Sequence, residues 1–220
     1  MAELLIATRN KGKLKELQHM LNPLELAIRS IADFPDLPEI AETGTTFEAN
    51  AVLKAQTVAD LTGMVTMADD SGLEVDALGG KPGVYSARFA GENATDSQNN
   101  ELLLNMMSDV PDQLRGARFV SVIAVARPGK LLGTVRGFCE GIITDRMRGN
   151  GGFGYDPLFF LKDYNMTFAE LSLELKNKVS HRAKALNKAV ILLEKIILEN
   201  AACFDPKDLR KRQTELKEDT

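Results

Sequence analysis

Alternating apolar and polar segments at the start of the chain predict a strand, a polar loop and a helix. Residues Glu3–Thr8 form a short apolar run, which is typical of a buried strand, and a polar cluster at residues 9–12 follows it. From Lys13 onwards, apolar residues recur three and four positions apart, which is the spacing of one helix face. A second strand is predicted at Leu24–Arg29. This order of elements is typical of an α/β domain.

Along the rest of the chain, segments with a strand pattern continue to alternate with segments that have the apolar spacing of a helix. Thr45 or Thr46 is placed to cap a helix that ends near Gly63, and a glycine-rich turn is predicted at residues 79–83. The predicted helices are Phe47–Leu61, Thr95–Met107, Thr167–Leu171 and Asn177–Leu198. The predicted strands are Met64–Ala68, Ala117–Ala126 and Leu131–Phe138, the last two of which flank a hairpin turn at Arg127–Lys130.

The segments show no internal repeat and no linker, so we expect a single domain over residues 1–199. The final segment is different, because Asp205–Thr220 contains five basic and five acidic groups and almost no apolar residues. We therefore interpret residues 200–220 as a charged extension, either a solvated continuation of the last helix or a disordered tail.

Composition narrows the function classes. The net charge of -4 at pH 7 argues against a broadly basic surface that would bind nucleic acid. The two cysteines, Cys139 and Cys203, lie in unrelated contexts, which offers no disulfide framework and no CxxC metal site. No run reaches the roughly 18 apolar residues of a membrane span, and the N-terminus lacks the features of a signal peptide. We expect a cytoplasmic protein that does not bind membranes.

The loop after the first strand is a candidate phosphate site. A loop between a strand and a helix N-terminus directs backbone N–H groups outward, and three cationic side chains in six residues add positive charge. The candidate ligands are Thr8, Arg9, Asn10, Lys11, Gly12 and Lys13. The segment is not a Walker motif, because the second glycine and the Lys-Ser/Thr pair are missing. The alternative is a polar turn that only precedes an amphipathic helix.

Acidic residues after the third apolar run suggest a metal site. Asp69 and Asp70, followed by Ser71, are placed at the predicted end of that strand, and adjacent side chains there point to opposite sides. A carboxylate at the mouth of an α/β sheet can hold Mg²⁺, which takes one or two protein carboxylates and fills its other positions with water and phosphate oxygens. The alternative is an Asx turn.

Two upstream residues are candidates to complete this site. Glu42 is a second potential metal carboxylate, and Lys54 lies on the following helix, from which it can reach a phosphate. Each residue alone has the alternative interpretation of a solvated surface charge.

Two later segments are candidates for binding an aromatic ligand. Two aromatic residues, Phe153 and Tyr155, are embedded among glycines at residues 151–157, which suits a loop that presents a ring for stacking better than it suits a core. Lys176 precedes Ser180–Arg182, a segment that holds one of the chain's two histidines at the start of the last helix. Surface charges are the alternative here.

Together these segments resemble the inosine triphosphate pyrophosphatase family. The matching blocks, in family order between residues 7 and 186, are ATRNKGK, AETGTTFEANAVLKA, ADDSGLEVDALGGKPGVYSARFAG, GNGGFGYDPLF and SHRAKAL. The resemblance implies an elongated α/β fold, with a central mixed twisted sheet, flanking helices and two lobes around a substrate cleft. It also implies a homodimer that uses Mg²⁺ to hydrolyse non-standard purine nucleoside triphosphates (ITP, dITP and XTP) to the monophosphate and pyrophosphate.

The resemblance also assigns roles to residues. It implies that Asp70 is the metal ligand and catalytic proton acceptor, that Ser71 touches substrate, and that Lys54 assists the phosphate loop. The implied base pocket comprises Phe153, Gly154, Tyr155, Asp156, Lys176, His181 and Arg182. Many relatives carry two glutamates before Thr-Gly where this chain has Ala41-Glu42. We therefore assign the second metal carboxylate to Glu42, with Glu39 as the alternative.

Hydrogen-bond chemistry explains how such a pocket selects its base. Hypoxanthine and xanthine present an acceptor at position 6, where adenine presents a donor, and Arg182 can only donate. Rejection of guanine, which shares the 6-oxo group, is not explained by the sequence. Two rival interpretations are a pyrophosphatase for other modified nucleotides, similar to Maf-type proteins, and a nucleotide- or RNA-binding module without catalysis.

Overall fold

A seven-stranded mixed sheet forms the centre of the fold, in a computed structural model that describes residues 3–21 and 26–202. The strand order is β2-β1-β3-β4-β5-β6-β7. Strand β1 pairs in parallel with β2 and β3, whereas every pairing from β3 to β7 is antiparallel. The predicted α/β class, with a central mixed sheet and flanking helices, is confirmed.

The elements occur in the following places. The strands are β1 (Glu3–Ile6), β2 (Ala27–Ser30), β3 (Thr66–Val75), β4 (Gly116–Arg127), β5 (Lys130–Ile143), β6 (Phe159–Leu161) and β7 (Met166–Thr167). The α-helices are α1 (Lys11–Leu21), α2 (Phe47–Thr62), α3 (Asp96–Met106), α4 (Leu173–Val179) and α5 (His181–Ala202).

Helices cover both faces of the sheet. Helix α2 packs on one face through residues such as Ala55 and Val58, which lie in one cluster with Ala68 of β3. Helices α1 and α5 pack on the opposite face, where Leu17 and Leu186 join a cluster of their own. Because neighbouring residues of a strand point to opposite faces, the two clusters draw on alternate positions of β3 and β4.

Local signals explain the ends of α2. The Thr46 hydroxyl accepts a hydrogen bond from the backbone N–H of Ala49, which satisfies one otherwise unpaired donor of the first turn. The helix ends at Gly63, whose φ of 72° lies in the left-handed region that glycine adopts without a side-chain clash. The predicted cap and stop are confirmed, and so is the hairpin between β4 and β5.

Two predicted boundaries around the functional segments are wrong. Strand β3 does not end before Asp69 and Asp70 but runs through them to Val75, because β4 pairs with it along the whole length. Thr167–Leu171 is not a helix, since Thr167 belongs to β7 and the next helix begins at Leu173.

The predicted C-terminal helix is also divided differently. Ser180 is extended, with ψ of 158°, so the segment predicted as one helix contains the end of α4 and then α5. Helix α5 begins at His181, four residues after the predicted start at Asn177. The first two residues of the second predicted strand, Leu24 and Glu25, and the charged segment Asp205–Thr220 lie outside the described residues.

No helix in the described ranges is long and apolar enough to cross a membrane.

Helix α5 lies directly on the backbone of β5 at Gly137. A Cβ atom at this position would come within 2.1 Å of the His181 carbonyl oxygen and 2.4 Å of the Ala185 nitrogen. Both neighbours are backbone atoms, so neither can move away without shifting the helix. The absence of a side chain at Gly137 therefore allows the start of α5, with His181, to pack at a short distance from β5.

Gly137→Ala is expected to destabilise the protein by about 3 kcal/mol, because overpacking against rigid backbone is costly. Gly133→Ala is the matched control on the same strand, since its Cβ would meet the flexible Leu192 side chain at 3.0 Å; we expect a cost below about 1 kcal/mol. Urea denaturation with an unchanged m-value measures both. Equal losses in the two variants would contradict this account of the packing.

Candidate active site

A cavity of about 310 Å³ opens between the loop after β1, the middle of β3 and the starts of α4 and α5. The side chain of Lys11 lies outside the described part of the structure, and every other predicted site residue except Gly12 lines the cavity. The predicted residues that line it are Thr8, Arg9, Asn10, Lys13, Glu42, Lys54, Asp70, Ser71, Phe153, Gly154, Tyr155, Asp156, Lys176, His181 and Arg182. Segments up to 174 residues apart in the sequence, such as Thr8 and Arg182, thus form one site.

The loop after β1 is shaped by its own polar side chains. The Asn10 side-chain oxygen accepts a hydrogen bond from the Lys13 N–H at 3.0 Å and so caps α1, while the Thr8 hydroxyl accepts from the Asn10 N–H. Arg9 donates to the Leu37 carbonyl oxygen at 3.0 Å. Backbone donors at the start of α1 and two nearby cations create positive potential at this end of the cavity.

Lys54 links the acidic residues on the α2 side of the sheet. Its ammonium group donates to Glu42 Oε1 at 2.8 Å, to Asp70 Oδ1 at 2.9 Å and to the carbonyl oxygen of Asp69 at 3.0 Å. Burial lowers the pKa of Lys54, but the two carboxylates outweigh burial and raise it above its ordinary value. Lys54 therefore stays charged and holds Asp70 and Glu42 at the same point.

Asp70 retains an unused ligand atom. Its second carboxylate oxygen, Oδ2, is buried and has no hydrogen-bond partner among the described residues. Burial raises the pKa of Asp70, and the neighbouring charge of Glu42 adds to this effect. For Glu42, burial also raises the pKa, but Lys54 outweighs it, so the net pKa lies below its ordinary value.

These carboxylates fit a hard divalent cation. An unpaired buried carboxylate oxygen is costly unless something binds it, and Mg²⁺ prefers oxygen ligands from one or two carboxylates. Within the described residues no cluster of three His, Cys, Asp or Glu side chains could form a closed metal site. A cation here would keep positions for water or substrate oxygens. Glu42 shares Lys54 with Asp70, whereas Glu39 lines the cavity without a recorded contact to either residue.

The Asp69 side chain lies on the face of the sheet opposite to α2, where α1 and α5 pack. Its carboxylate pairs with Lys13 at 2.8 Å, accepts a hydrogen bond from the Ser121 hydroxyl at 2.6 Å, and lies 3.6 Å from Arg182 Nε. Burial raises the pKa of Asp69, but Lys13 and Arg182 lower it by more, which keeps it ionised. The expectation that Asp69 and Asp70 point to opposite sides is confirmed, and Asp69 orients cations of the cavity.

The aromatic loop places one ring in the cavity. The Phe153 ring centroid lies 4.9 Å from Lys176 Nζ and 5.6 Å from Arg182 Cζ, within the range of cation–π contacts. A Cβ at Gly12 would come within 2.8 Å of this ring, so glycine allows α1 to approach it. Tyr155 behaves differently from the prediction, because it packs into the core and donates its hydroxyl to the Ser86 carbonyl oxygen at 2.9 Å.

His181 and Arg182 are buried, which rules out the alternative of surface charges. The imidazole stacks on Phe119 with centroids 4.7 Å apart, and its Nδ1 has no hydrogen-bond partner among the described residues. Burial, together with the charge of Arg182, holds the His181 pKa well below its ordinary value, so the ring is neutral. Arg182 donates to Ser71 Oγ at 2.9 Å and pairs with Glu16.

Sequence reasoning missed Glu16, a buried counter-charge of the pocket. It pairs with Arg182 and lies 3.3 Å from Lys176. Asp156 provides the second partner of Lys176. The signal for Glu16 was its position three residues after Lys13, which puts both side chains on one face of α1. Ser121 and Phe119 carried no comparable signal, because only the pairing of β4 with β3 brings them to the site.

The fold and the cavity define an α/β protein with a cation-lined cleft and a paired-carboxylate site, and the comparisons place it in a family. The sequence profile of the Ham1 family matches residues 4–191, most of the chain. The chain therefore belongs to the Ham1 family.

Relatives from several bacteria agree with this placement. The chain is 52% identical over 196 residues to a protein of Desulforamulus reducens named dITP/XTP pyrophosphatase, covering 89% of this chain and 98% of the relative. It is 54% identical over 186 residues to a protein of the same name from Geobacter sulfurreducens, covering 84% and 94%. The solved structure of a HAM1 protein from Coxiella burnetii superimposes with a TM-score of 0.81 at 39% identity, covering 89% of this chain and all of that one.

The buried neutral imidazole predicts a pH-dependent stability. Because the folded-state pKa of His181 is depressed, the unfolded chain binds a proton that the folded chain does not as pH falls below about 6.5. The difference in unfolding free energy between the unmodified protein and His181→Gln is therefore expected to shrink, by up to about 1.4 kcal/mol per pH unit. His19→Gln, at the only other histidine of the sequence, is the control variant. Urea titrations at pH 5 to 8 measure it, and a constant difference for His181→Gln would contradict the burial argument.

Proposed function

We propose that this protein is a magnesium-dependent nucleoside-triphosphate pyrophosphatase that hydrolyses ITP, dITP and XTP to the nucleoside monophosphate and pyrophosphate. The observation that carries the proposal is the group formed by Lys54, Asp70 and Glu42, with an unpaired Asp70 oxygen inside a cation-lined cavity. Family membership and the printed names of the relatives support the substrate class.

The triphosphate binds at the end of the cavity formed by the loop after β1. Arg9, Lys13 and Lys54 supply positive charge, and the N–H groups at the start of α1 supply donors. Water attacks the α-phosphorus, a new P–O bond forms, and the bond to the β-phosphate oxygen breaks as pyrophosphate leaves. Negative charge grows on the leaving group, and fixed cations stabilise it most where water is excluded.

Asp70 and Glu42 are the residues that would hold Mg²⁺. Magnesium bound there supplies neutralisation of the phosphate oxygens. Asp70 has a second task, since its carboxylate can accept a hydrogen bond from the attacking water and orient it. Lys54 fixes the other oxygen of Asp70 and so holds the carboxylate in one orientation.

The purine base binds at the opposite end, against Phe153. The half-buried ring of Phe153 lines the cavity and is suited to stacking, and Lys176 and Arg182 beside it are held by Glu16 and Asp156. Cationic donors accept a 6-oxo group as partner, whereas the 6-amino group of adenine would place donors opposite donors. A site built on buried hydrogen bonds discriminates strongly in such cases.

The same proposal includes a homodimer in the cytoplasm that acts on small nucleotides and not on nucleic acids or membranes. The homodimer is supported by the resemblance to the family. The reducing compartment is supported by Cys139, a buried free thiol whose pKa burial raises to about 11. Selection against nucleic acid is supported by the net charge of -4.

We expect kcat/KM for ITP, dITP and XTP to exceed that for ATP by at least about 10²-fold, because adenine mismatches the donors of the pocket. The measurement is pyrophosphate release over ITP, dITP, XTP, GTP, ATP and UTP, with and without Mg²⁺. Orthophosphate as the direct product, or comparable turnover of ATP, would contradict the proposal. Preferred turnover of UTP would favour an enzyme for other modified nucleotides, and binding without turnover would favour a non-catalytic module.

Asp70→Asn is expected to lower kcat by at least about 10³-fold with the fold intact, because the amide loses the charge that binds Mg²⁺ and orients water. Glu42→Gln should raise the Mg²⁺ concentration needed for half-maximal activity, and Glu39→Gln is the matched control. Kinetics over a Mg²⁺ titration, with circular dichroism as the folding check, decide between them. If Glu39→Gln shifts the requirement and Glu42→Gln does not, the assignment of the second carboxylate is wrong.

A further inference from the structure

Helix α3 holds the aromatic loop at the edge of the cavity, which its residues Asp96 and Asn99 also line. Asp96 Oδ2 accepts a hydrogen bond from the Gly154 N–H at 2.6 Å, and Asn100 Nδ2 donates to the Gly154 carbonyl oxygen at 2.9 Å. The two residues are four positions apart and thus lie on the same face of α3. Both polar groups of Gly154 are therefore bound by side chains of one helix turn.

The loop depends on such external contacts. Gly152 and Gly154, on either side of Phe153, have φ values of 74° and 61°, which lie in a region open mainly to glycine. Glycines leave the backbone with many alternative conformations, and fixing each residue costs about 1–2 kcal/mol. Inside the loop, the Phe153 N–H donates to the Asp156 carboxylate at 3.0 Å, and the Phe153 carbonyl oxygen accepts from the Asp156 N–H at 3.3 Å. The contacts from α3 supply the remaining restraint on the peptide next to it.

The same helix also holds the wall of the cavity next to this loop. Asn99, which is buried, accepts a hydrogen bond from the Ala90 N–H at 2.8 Å and donates to the Ala87 carbonyl oxygen at 3.2 Å. The segment it holds adjoins Ser86, whose hydroxyl accepts a hydrogen bond from the N–H of Leu73 on β3. Helix α3 thus connects the aromatic loop to the strand that carries Asp70.

We propose that Asp96 and Asn100 are positioning residues that fix Phe153 for stacking on the purine and thereby set affinity and selectivity for the base. The proposal rests on the proposed function, because it assumes that the base binds at Phe153. Neither residue takes part in phosphate chemistry. Loss of the contacts should therefore weaken interactions with the base and leave those with the triphosphate unchanged.

The test compares Asp96→Ala and Asn100→Ala with two controls. Asp96→Asn keeps an acceptor for the Gly154 N–H, and Glu101→Ala changes an exposed residue of the same helix. For each alanine variant we expect KM for ITP to rise about tenfold, the scale of one lost hydrogen bond to a positioned group. We expect kcat, and the inhibition constant of inorganic triphosphate, to stay within about twofold. The ratio of kcat/KM for ITP to that for ATP should fall.

A merely structural role predicts a different pattern. It would lower the melting temperature and the active fraction while leaving KM unchanged, and such a result would overturn the proposal. A parallel rise of KM and of the inhibition constant of inorganic triphosphate would overturn it too. Asp96→Asn must stay near the unmodified protein, since equal loss in Asp96→Asn and Asp96→Ala would show that the acceptor is irrelevant.

Failure of the proposed function can be told apart from failure of this inference. If the unmodified protein releases no pyrophosphate from ITP, the proposed function fails. Calorimetric titration of ITP and of inorganic triphosphate into the same variants then still tests the positioning role. Weaker binding of ITP alone would support it, and unchanged binding of both would overturn it.

Discussion

Charged groups that leave water must find opposite charges, and this requirement organises the centre of the protein. Buried and partly buried charges of alternating sign run across the cavity from the loop after β1 to the aromatic loop. In order of contact they are Lys13, Asp69, Arg182, Glu16, Lys176 and Asp156. Helix α1 contributes to this chain twice, through Lys13 and Glu16. The two ends of the site are therefore fixed relative to each other by ion pairs as well as by the apolar packing of α1 and α5 on the sheet.

The position of β3 in the sheet explains why Asp69 and Asp70 contact different charged residues. Asp69 and Asp70 are adjacent, so the alternation of the strand sends them to opposite faces. Asp69 meets cations from α1 and α5, while Asp70 meets Lys54 from α2. The surrounding charges lower the pKa of Asp69 and leave that of Asp70 raised by burial. The two adjacent carboxylates therefore lie in different electrostatic environments within one cavity.

Much of the fold and of the candidate site could be predicted from the sequence, because the segments that form them carry strong local signals. Helix α2 has a cap at Thr46 and a glycine stop, and the loop after β1 joins an apolar run to a helical period. The prediction for Thr167–Leu171 failed because Thr167 pairs with Phe160 of the neighbouring strand β6, and this pairing outweighed the helical pattern. The roles of Asp96 and Asn100 could not be predicted, since they depend on a peptide 54 positions or more away. The burial of Tyr155 likewise depends on a distant backbone carbonyl.

Under the proposed function, a phosphate group that binds Lys54 must replace one of the hydrogen-bond acceptors that this lysine already has. An ammonium group has three N–H donors, and those of Lys54 are all taken, by Glu42, Asp70 and the carbonyl oxygen of Asp69. A phosphate oxygen can bind this lysine through a direct hydrogen bond only if one of the three acceptors gives up its place. Where that acceptor is a carboxylate, its oxygen loses its counter-ion in the same event and gains the capacity to bind another cation. Under the proposed function, phosphate binding at Lys54 and cation binding at the freed carboxylate would therefore be thermodynamically linked, each favouring the other.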